Sequence, residues 1–204
     1  FGNTTPVYMP FNAWHYLDKD SDYSGNSNDY IDTWRSGTDI IAEVTWKAIS
    51  VPYRIPNAVD QISQGGVTIE AGTELISRAN GGLEVFGDGY LRIEGTAANP
   101  ITLRGEQDVQ GYWRGLNFSS VNANNLISNA TISNGGSSGF DGANRKANVE
   151  IEGSGLLTMT DVAVTQSGGY GIRVSSGGTL TSSGLTFANN VLSGNLLGGG
   201  VRKD

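Results

Sequence analysis

Short triplets that read apolar, polar, apolar recur over the second two thirds of the chain. This period-two alternation is typical of a β-strand with one buried face. Five triplets align without gaps: Val67–Ile69, Leu83–Val85, Leu116–Phe118, Val149–Ile151 and Ile172–Val174. We interpret them as equivalent first strands of a repeated structural unit.

Two further strands recur in each unit, separated by turns rich in glycine. The second is centred on Leu91, Leu157 and Leu180, with Leu75 in a shorter early version, and the third is Ile101–Leu103, Ala130–Ile132, Val162–Val164 and Leu185–Phe187. Val149 and Ile172 are separated by the same interval along the chain as Leu157 and Leu180. The pattern predicts an all-β, right-handed parallel β-helix with three strands per coil and a period of about 23 residues.

Uneven spacings between the first strands indicate departures from a regular coil. The interval from Val67 to Leu83 is clearly shorter than one period, which suggests a coil without its third strand. The next two intervals, to Leu116 and then to Val149, are equal and each exceeds one period by about ten residues. Each therefore holds an insertion, expected at Glu106–Tyr112 and at Ser137–Lys146, where glycine and polar residues favour protruding loops.

The two ends of the chain differ from the repeats. Residues 1–60 show no coil pattern and contain Trp14, Trp34 and Trp46, so we expect an N-terminal cap that covers the apolar end of the stack. Residues 61–204 form the predicted β-helix. No cap pattern follows it, so the helix is expected to be incomplete or uncapped at its C-terminus, with the native chain continuing or a second subunit covering that end.

Composition excludes several classes of partner. The chain has 30 glycines, no cysteine, and 13 Lys and Arg against 20 Asp and Glu, for a net charge of -7. Clustered cations are absent, which argues against nucleic acid and anionic membrane surfaces. No apolar run approaches the roughly 20 residues of a membrane span. The absence of Cys and the start at Phe1 fit a processed, exported chain.

Several segments resemble the parallel β-helix domains of bacterial, Bacteroidota-type secreted and surface proteins. The resemblance covers about residues 44–200 and is carried by Gly66–Thr73, Gly95–Thr102 and Gly111–Leu116, with Trp46 and Pro52–Tyr53 before the first coil. It implies a bacterial protein that is secreted or located at the cell surface. Most such domains have no assigned activity, so the resemblance implies a fold without a chemistry.

One acidic loop has oxygen ligands at a spacing similar to that of calcium-binding loops. Its side chains are Asp18, Asp20, Asp22, Ser24 and Asp29. Tyr23 stands where such loops need glycine, and the last ligand is Asp rather than Glu. The segment is therefore either a calcium site that pins the cap or a solvated acidic loop. No other cofactor is expected.

Outward positions of the predicted strands offer few candidates for chemistry. Glu150 and Arg173 should be neighbours on adjacent coils, and we interpret them as a surface ion pair. The only histidine, His15, lies in the cap and is expected to be a structural or surface residue. A column of Thr102, Thr131, Ala163 and Thr186 is the kind of array that ice-binding proteins use, although Thr is also common in strands. Asn134, Gln166 and Asn189 are either a stacked amide ladder or ordinary turn residues.

Aromatic side chains near turns are candidates for stacking on sugars. They are Tyr112, Trp113 and Tyr170, and the alternative for Trp113 is packing at a corner of the coil. We therefore expect a non-catalytic structural or adhesive domain whose partner is a second copy of itself or a surface glycan. The alternative is a carbohydrate-binding or polysaccharide-cleaving domain, and ice binding is a third hypothesis.

Overall fold

The computed structural model describes residues 2–35, 37, 39–142 and 144–192, and the backbone of 200–203. These residues form eighteen β-strands and one short 3₁₀ helix, Phe11–Tyr16. The strands of the N-terminal part are β1 Val7–Tyr8, β2 Ile31–Asp32, β3 Glu43–Trp46, β4 Tyr53–Ile55 and β5 Val59–Ile62. The next are β6 Gly66–Ile69, β7 Glu74–Ser77, β8 Gly82–Val85, β9 Tyr90–Glu94, β10 Ile101–Gly105, β11 Gly115–Phe118 and β12 Leu126–Ser133. The last are β13 Ala147–Ile151, β14 Leu156–Thr165, β15 Tyr170–Val174, β16 Thr179–Ser183, β17 Thr186–Ala188 and β18 Gly200–Lys203.

The strands pair in parallel in two sheets. The smaller sheet has the order β15-β13-β11-β8-β5. The larger sheet has thirteen strands, with the path β1-β2-β4-β7-β10-β12-β14-β16-β18 and with β3, β6, β9 and β17 paired beside it. Strands that follow each other in the sequence belong to different stacks of paired strands. Each strand therefore pairs with strands that lie about one repeat earlier or later in the sequence. The predicted all-β, parallel architecture is confirmed.

Apolar side chains from both sheets meet in one continuous core. In the five-stranded sheet Val85, Phe118, Ile151 and Val174 occupy one column, as the sequence predicted. In the larger sheet Leu103, Ile132, Val164 and Phe187 occupy another. Parallel stacking places chemically similar residues above one another, which lets every coil bury its inward side chains against the next.

The predicted register of the first coil is wrong. Val67–Ile69 does not lie in the column of Leu83, because β6 pairs with β3 and β9 in the larger sheet. On the side away from β11, β8 pairs with β5, which aligns Ile62 with Val85 at the same spacing as Ile151 with Val174. Leu75 likewise belongs beside Leu103 rather than Leu91. The short interval from Val67 to Leu83 therefore does not mark a missing strand, because these two residues belong to different sheets.

The strand β5 escaped detection because Asp60 occupies the inward position that Leu83 holds on the next strand. A carboxyl group at that position breaks the apolar alternation on which the prediction depended.

Strand pairing begins before residue 61, since β2, β3 and β4 of the N-terminal segment already pair within the larger sheet.

Two long strands bend where their backbone enters the left-handed region. In β12 this residue is Asn129, with φ of 44°, and in β14 it is Asp161, with φ of 54°. The first half of β12 pairs with β9 and its second half with β10. Because β12 pairs with both β9 and β10, the bend joins the stack of strands that contains β9 to the stack that contains β10 in one sheet.

Aromatic side chains of the N-terminal segment pack over the first strands. The rings of Phe11, Trp14, Trp46 and Tyr53 are fully buried. The centroids of Trp14 and Trp46 are 4.8 Å apart, and those of Phe11 and Trp46 are 5.6 Å apart. Trp34 differs from the other two tryptophans of this segment, because it is partly exposed and packs on the ring of Tyr8.

The threonine column and the amide residues predicted from the sequence are aligned from one repeat to the next. Thr102, Thr131, Ala163 and Thr186 form one column, interrupted at Ala163 as predicted. Asn134, Gln166 and Asn189 all have positive φ, so all three are turn residues. A side-chain hydrogen bond of 3.0 Å from Asn134 Nδ2 to Gln166 Oε1 also makes the first two the start of an amide ladder.

Candidate functional site

A ladder of polar side chains runs along the outward side of the five-stranded sheet. Its members, one from each strand, are Gln61, Glu84, Asn117, Glu150 and Arg173. Gln61 Nε2 donates to Glu84 at 2.8 Å, and Asn117 Nδ2 donates to Glu84 at 3.3 Å. The ladder then leads into a cluster of charged groups at its C-terminal end.

Arg173 is the centre of that cluster. Its Nη1 lies 3.5 Å from Asp141 Oδ1, 3.4 Å from Glu150 Oε2 and 3.3 Å from Glu152 Oε1. Asn117 Nδ2 donates a further hydrogen bond of 3.2 Å to Glu152. Glu150 and Glu152 come from β13 and the residue after it, Arg173 comes from β15, and Asp141 comes from the insertion that precedes β13.

The insertion covers the outward face of the sheet at this point. The backbone N–H of Phe140 donates to Glu150 Oε1 at 3.3 Å, and the guanidinium of Arg114 lies 5.5 Å from the centre of the Phe140 ring. Glu150 is consequently 0 % exposed and Arg173 is 9 % exposed. The prediction of a surface ion pair between them is wrong: they are paired, but a loop that folds back over the strands buries both.

The buried cluster shifts the protonation of its carboxyl groups in opposite directions. Burial, reinforced by the charges of Glu152 and Asp141, raises the pKa of Glu150 to about 8, against the opposing charge of Arg173. Burial and a hydrogen bond with Asp141 raise the pKa of Glu152. Burial also acts on Asp141, but its hydrogen bonds with Arg145 and Glu152 outweigh it and lower the pKa of Asp141. Neighbouring acids with separated pKa values are common at functional sites.

The same three acids are the group within the described residues that has the ligand geometry of a cation site. Oxygen atoms of Asp141, Glu150 and Glu152 all lie within 4.8 Å of one another. The guanidinium of Arg173 already stands within 3.5 Å of all three carboxyl groups and supplies positive charge there. We therefore interpret the cluster as an arginine–carboxylate network rather than a metal centre.

An open groove of about 890 Å³ lies beside this cluster. Its walls carry hydrogen-bonding side chains and one aromatic ring, from Asp141, Asn144, Arg145, Glu152, Tyr170, Arg173 and Ser176. The volume is within the range of ligand-binding clefts, which is about 300–1,000 Å³. The arrangement offers both carboxylate and guanidinium groups, and a phenol ring, to a polar ligand.

The three aromatic residues proposed for sugar stacking have different surroundings. Tyr170 lines the groove. Trp113 is fully buried, and its Nε1 donates to the carbonyl of Ser133 at 2.7 Å, so it packs at a corner of the coil and has no free face for a sugar. Tyr112 packs partly buried against the core. Only Tyr170 is therefore brought to the candidate site.

The acidic loop of the cap holds its carboxyl groups in local turns. Asp18 accepts bonds from the backbone of Asp20 and Ser21, Asp22 accepts from Ser24, and Asp29 accepts from the backbone of Gly25 and Asn26. The hydrogen bonds to Ser21 and Ser24 lower the pKa of Asp18 and Asp22 respectively. These oxygens already have donors within the loop, and calcium binding by Asp18, Asp20, Asp22, Ser24 and Asp29 stays a prediction.

Sequence reasoning found two members of the cluster, Glu150 and Arg173, and missed Asp141 and Glu152. Glu152 follows Glu150 at the spacing of two that places both on one side of a strand, so the signal was present. Asp141 had no signal, because its position depends on how the insertion folds.

Comparison of the chain with family models, with curated proteins and with solved structures gives no match in any of the three. Among the described residues, no helix has the length and apolar character needed to cross a membrane. The function must therefore be argued from the groove itself.

Proposed function

We propose that this chain is a glycan-binding, adhesive domain of a secreted or cell-surface protein, built as a right-handed parallel β-helix with three strands per coil. The observation that carries the proposal is the groove beside β15, in which Tyr170 stands among hydrogen-bonding side chains. Sugars present hydroxyl groups that pair with carboxylates, amides and guanidinium groups. Their C–H faces pack on aromatic rings.

Regular spacings support the finer description of the fold. Ile62 and Val85, Leu157 and Leu180, and Val164 and Phe187 are aligned pairs in three separate columns, and all three pairs have the same separation along the chain. Parallel strands joined by crossovers within a sheet are right-handed in nearly all proteins. The common separation favours one coil of three strands for every repeat of about 23 residues.

Binding to an array of immobilised oligosaccharides tests the proposal. We expect Tyr170→Ala to weaken the affinity for any bound glycan about tenfold, which is about 1.4 kcal/mol. Tyr16→Ala is the matched control, because Tyr16 is 77 % exposed in the cap and does not line the groove. Equal affinities of the two variants, or no glycan bound by the native chain, would contradict the proposal.

End-to-end association is a second candidate function. Within the described residues β15 has one strand partner, β13, and the terminal strands of a stack are where a second chain can add a strand. Light scattering over a range of protein concentrations, with and without calcium, tests this candidate. Growth in mass with concentration supports stacking of chains, and a constant monomer mass rules it out.

A further inference from the structure

Glu150 is one of the contacts between the outward face of the five-stranded sheet and the residues that precede β13. It accepts the backbone N–H of Phe140, and it shares Arg173 with Asp141. Both Phe140 and Asp141 belong to the stretch 137–142, here named the covering segment. The covering segment also supplies Asp141 to the groove wall. The wall of the groove and the burial of Glu150 therefore depend on the same contacts.

The charges that face Glu150 do not balance if it is ionised. Acidic groups approach it from its own strand end and from the covering segment, and one arginine approaches from β15: Glu152, Asp141 and Arg173. More distant charged groups are Arg145, which pairs with Asp141, Arg114, which lies over Phe140, and Glu84, which is linked through Asn117. Three carboxylates would then share Arg173, with Arg145 more than half exposed to solvent.

A buried carboxylate under these conditions has two ways to lower its energy. It can keep a proton, or it can gain water by displacing what covers it. Displacing the covering segment would hydrate Glu150 and would also move the negative charge of Asp141 away from it. The Phe140 N–H and Arg173 favour the ionised form, but burial and the two neighbouring carboxylates outweigh them, so keeping the proton leaves the covering segment in place.

We propose that a proton on Glu150 holds the covering segment against the five-stranded sheet, so that the groove wall, and with it glycan binding, is controlled by pH. The part of this inference that concerns the glycan rests on the proposed function. The part that concerns the covering segment does not, because it follows from the full burial of Glu150 and from its closeness to Asp141 and Glu152.

The direction of the effect follows from the raised pKa of Glu150, about 8 in the folded protein against an ordinary value of 4.5. A group whose pKa is raised on folding stabilises the covered form fully below its ordinary pKa. That contribution declines as pH rises and is lost once pH passes the raised value. We therefore expect the covering segment to be held most firmly below about pH 4.5, to loosen progressively between about pH 4.5 and pH 8, and to change no further above about pH 8.

Amide hydrogen exchange of the Phe140 N–H, corrected for the intrinsic pH dependence of exchange, measures the covering segment without any glycan. Between about pH 6 and pH 7 we expect its protection in the native chain to fall about tenfold, because between the ordinary and the raised pKa each pH unit weakens the closed form tenfold, and we expect the protection to level off above about pH 8. Glu150→Gln keeps a neutral side chain of the same shape, so its protection should stay constant over this range.

Glu84→Gln is the matched control, since Glu84 lies in the same outward ladder on β8 and accepts its hydrogen bonds from Gln61 and Asn117 rather than from the covering segment. It should keep the native pH dependence. Constant protection of Phe140 in the native chain, or an equal fall in Glu150→Gln, would overturn the inference, and the first result needs no variant to fold. If protection falls as expected but no glycan binds at any pH, the proposed function fails and the proton-controlled contact stands.

Discussion

Two buried carboxyl groups dominate the chemistry of this protein at the residue scale. Glu150 lies on the outward side of the five-stranded sheet, and Asp60 lies on the inward side. Asp60 is 3 % exposed, and its Oδ2 has no hydrogen-bond partner. Burial raises the pKa of Asp60 to about 7, and the positive charge of Arg35 only partly opposes this. The core therefore contains an acid that is half ionised near neutral pH.

Asp60 should make the protein less stable as the pH rises. Because its folded pKa of about 7 exceeds the ordinary 3.8, its contribution is full below about pH 4 and is lost through pH 7. Asp60→Asn removes this dependence. Between about pH 5 and pH 8, we expect urea unfolding to show the free energy of the native chain falling by about 3 kcal/mol relative to the variant. Parallel pH profiles for the two proteins would show that Asp60 is not protonated in the fold.

The side chain of Asn148 forms hydrogen bonds with two backbone groups in the interior. It is fully buried, its Oδ1 accepts the N–H of Gly135 at 2.6 Å, and its Nδ2 donates to the carbonyl of Thr165 at 2.8 Å. Asn148→Ala leaves the N–H of Gly135 without this partner in the interior, and the carbonyl of Thr165 keeps only the N–H of Asn134. We expect a loss of about 2–3 kcal/mol in the free energy of unfolding.

Asn124→Ala is the control for that loss, because Asn124 is exposed and only its backbone N–H makes a hydrogen bond. Its effect should be below about 0.5 kcal/mol in the same denaturant experiment. A loss of equal size in both variants would mean that the buried amide contributes nothing specific.

At the scale of the strands, close approach between successive coils limits which residues can precede a strand. Gly155 comes directly before β14, and a Cβ on it would lie 2.2 Å from the carbonyl oxygen of Phe118 at the end of β11. The neighbour is backbone and is held in a ladder, so it cannot yield as a flexible side chain would. Glycine is required here for space rather than for its dihedral freedom.

Gly155→Ala should therefore destabilise the protein by about 2 kcal/mol or more through overpacking. Gly142→Ala is the matched change, because a Cβ at Gly142 meets nothing within 4 Å. We expect its unfolding free energy to stay within about 0.5 kcal/mol of the native value. Thermal unfolding of both variants gives the comparison, and a similar melting temperature for the two would contradict the steric argument.

For the whole molecule, stability should vary along the stack. Central strands such as β11 and β13 have a parallel neighbour on each side, whereas β1 pairs only with β2 and β17 pairs only with β14 in the described part of the chain. In a stacked fold each repeat is stabilised mainly by its neighbours, so local opening is easiest at the ends.

Hydrogen exchange followed by mass spectrometry should show this gradient directly. We expect the slowest exchange in peptides that contain β11 and β13, and exchange at least about tenfold faster in those that contain β1 and β17. Uniform protection from β1 to β17 would indicate instead that the stack opens only by global unfolding.

The strand pattern shows how much of this molecule could be predicted without its structure. Phe118, Ile151 and Val174 were placed in one inward column and Ile132 and Val164 in another, because burial of one strand face leaves a period of two in the sequence. Strand β5 was missed, because a buried polar residue such as Asp60 interrupts the period-two alternation of apolar residues.

The sequence by itself determined most of the strands, the spacing of aligned strands, the parallel architecture and the position of the second insertion. The extra residues of the first long interval are divided between 95–100 and 106–114, and only the latter part was predicted. These features follow from local alternation and from spacing, which are properties of neighbouring residues. Only the tertiary structure decided that the covering segment lies over Glu150, that Asp141 and Glu152 join Arg173, and that Trp113 is buried while Tyr170 lines a groove. Alternation tells which side of a strand faces the core. What a loop covers on the other side depends on contacts between residues far apart in the chain.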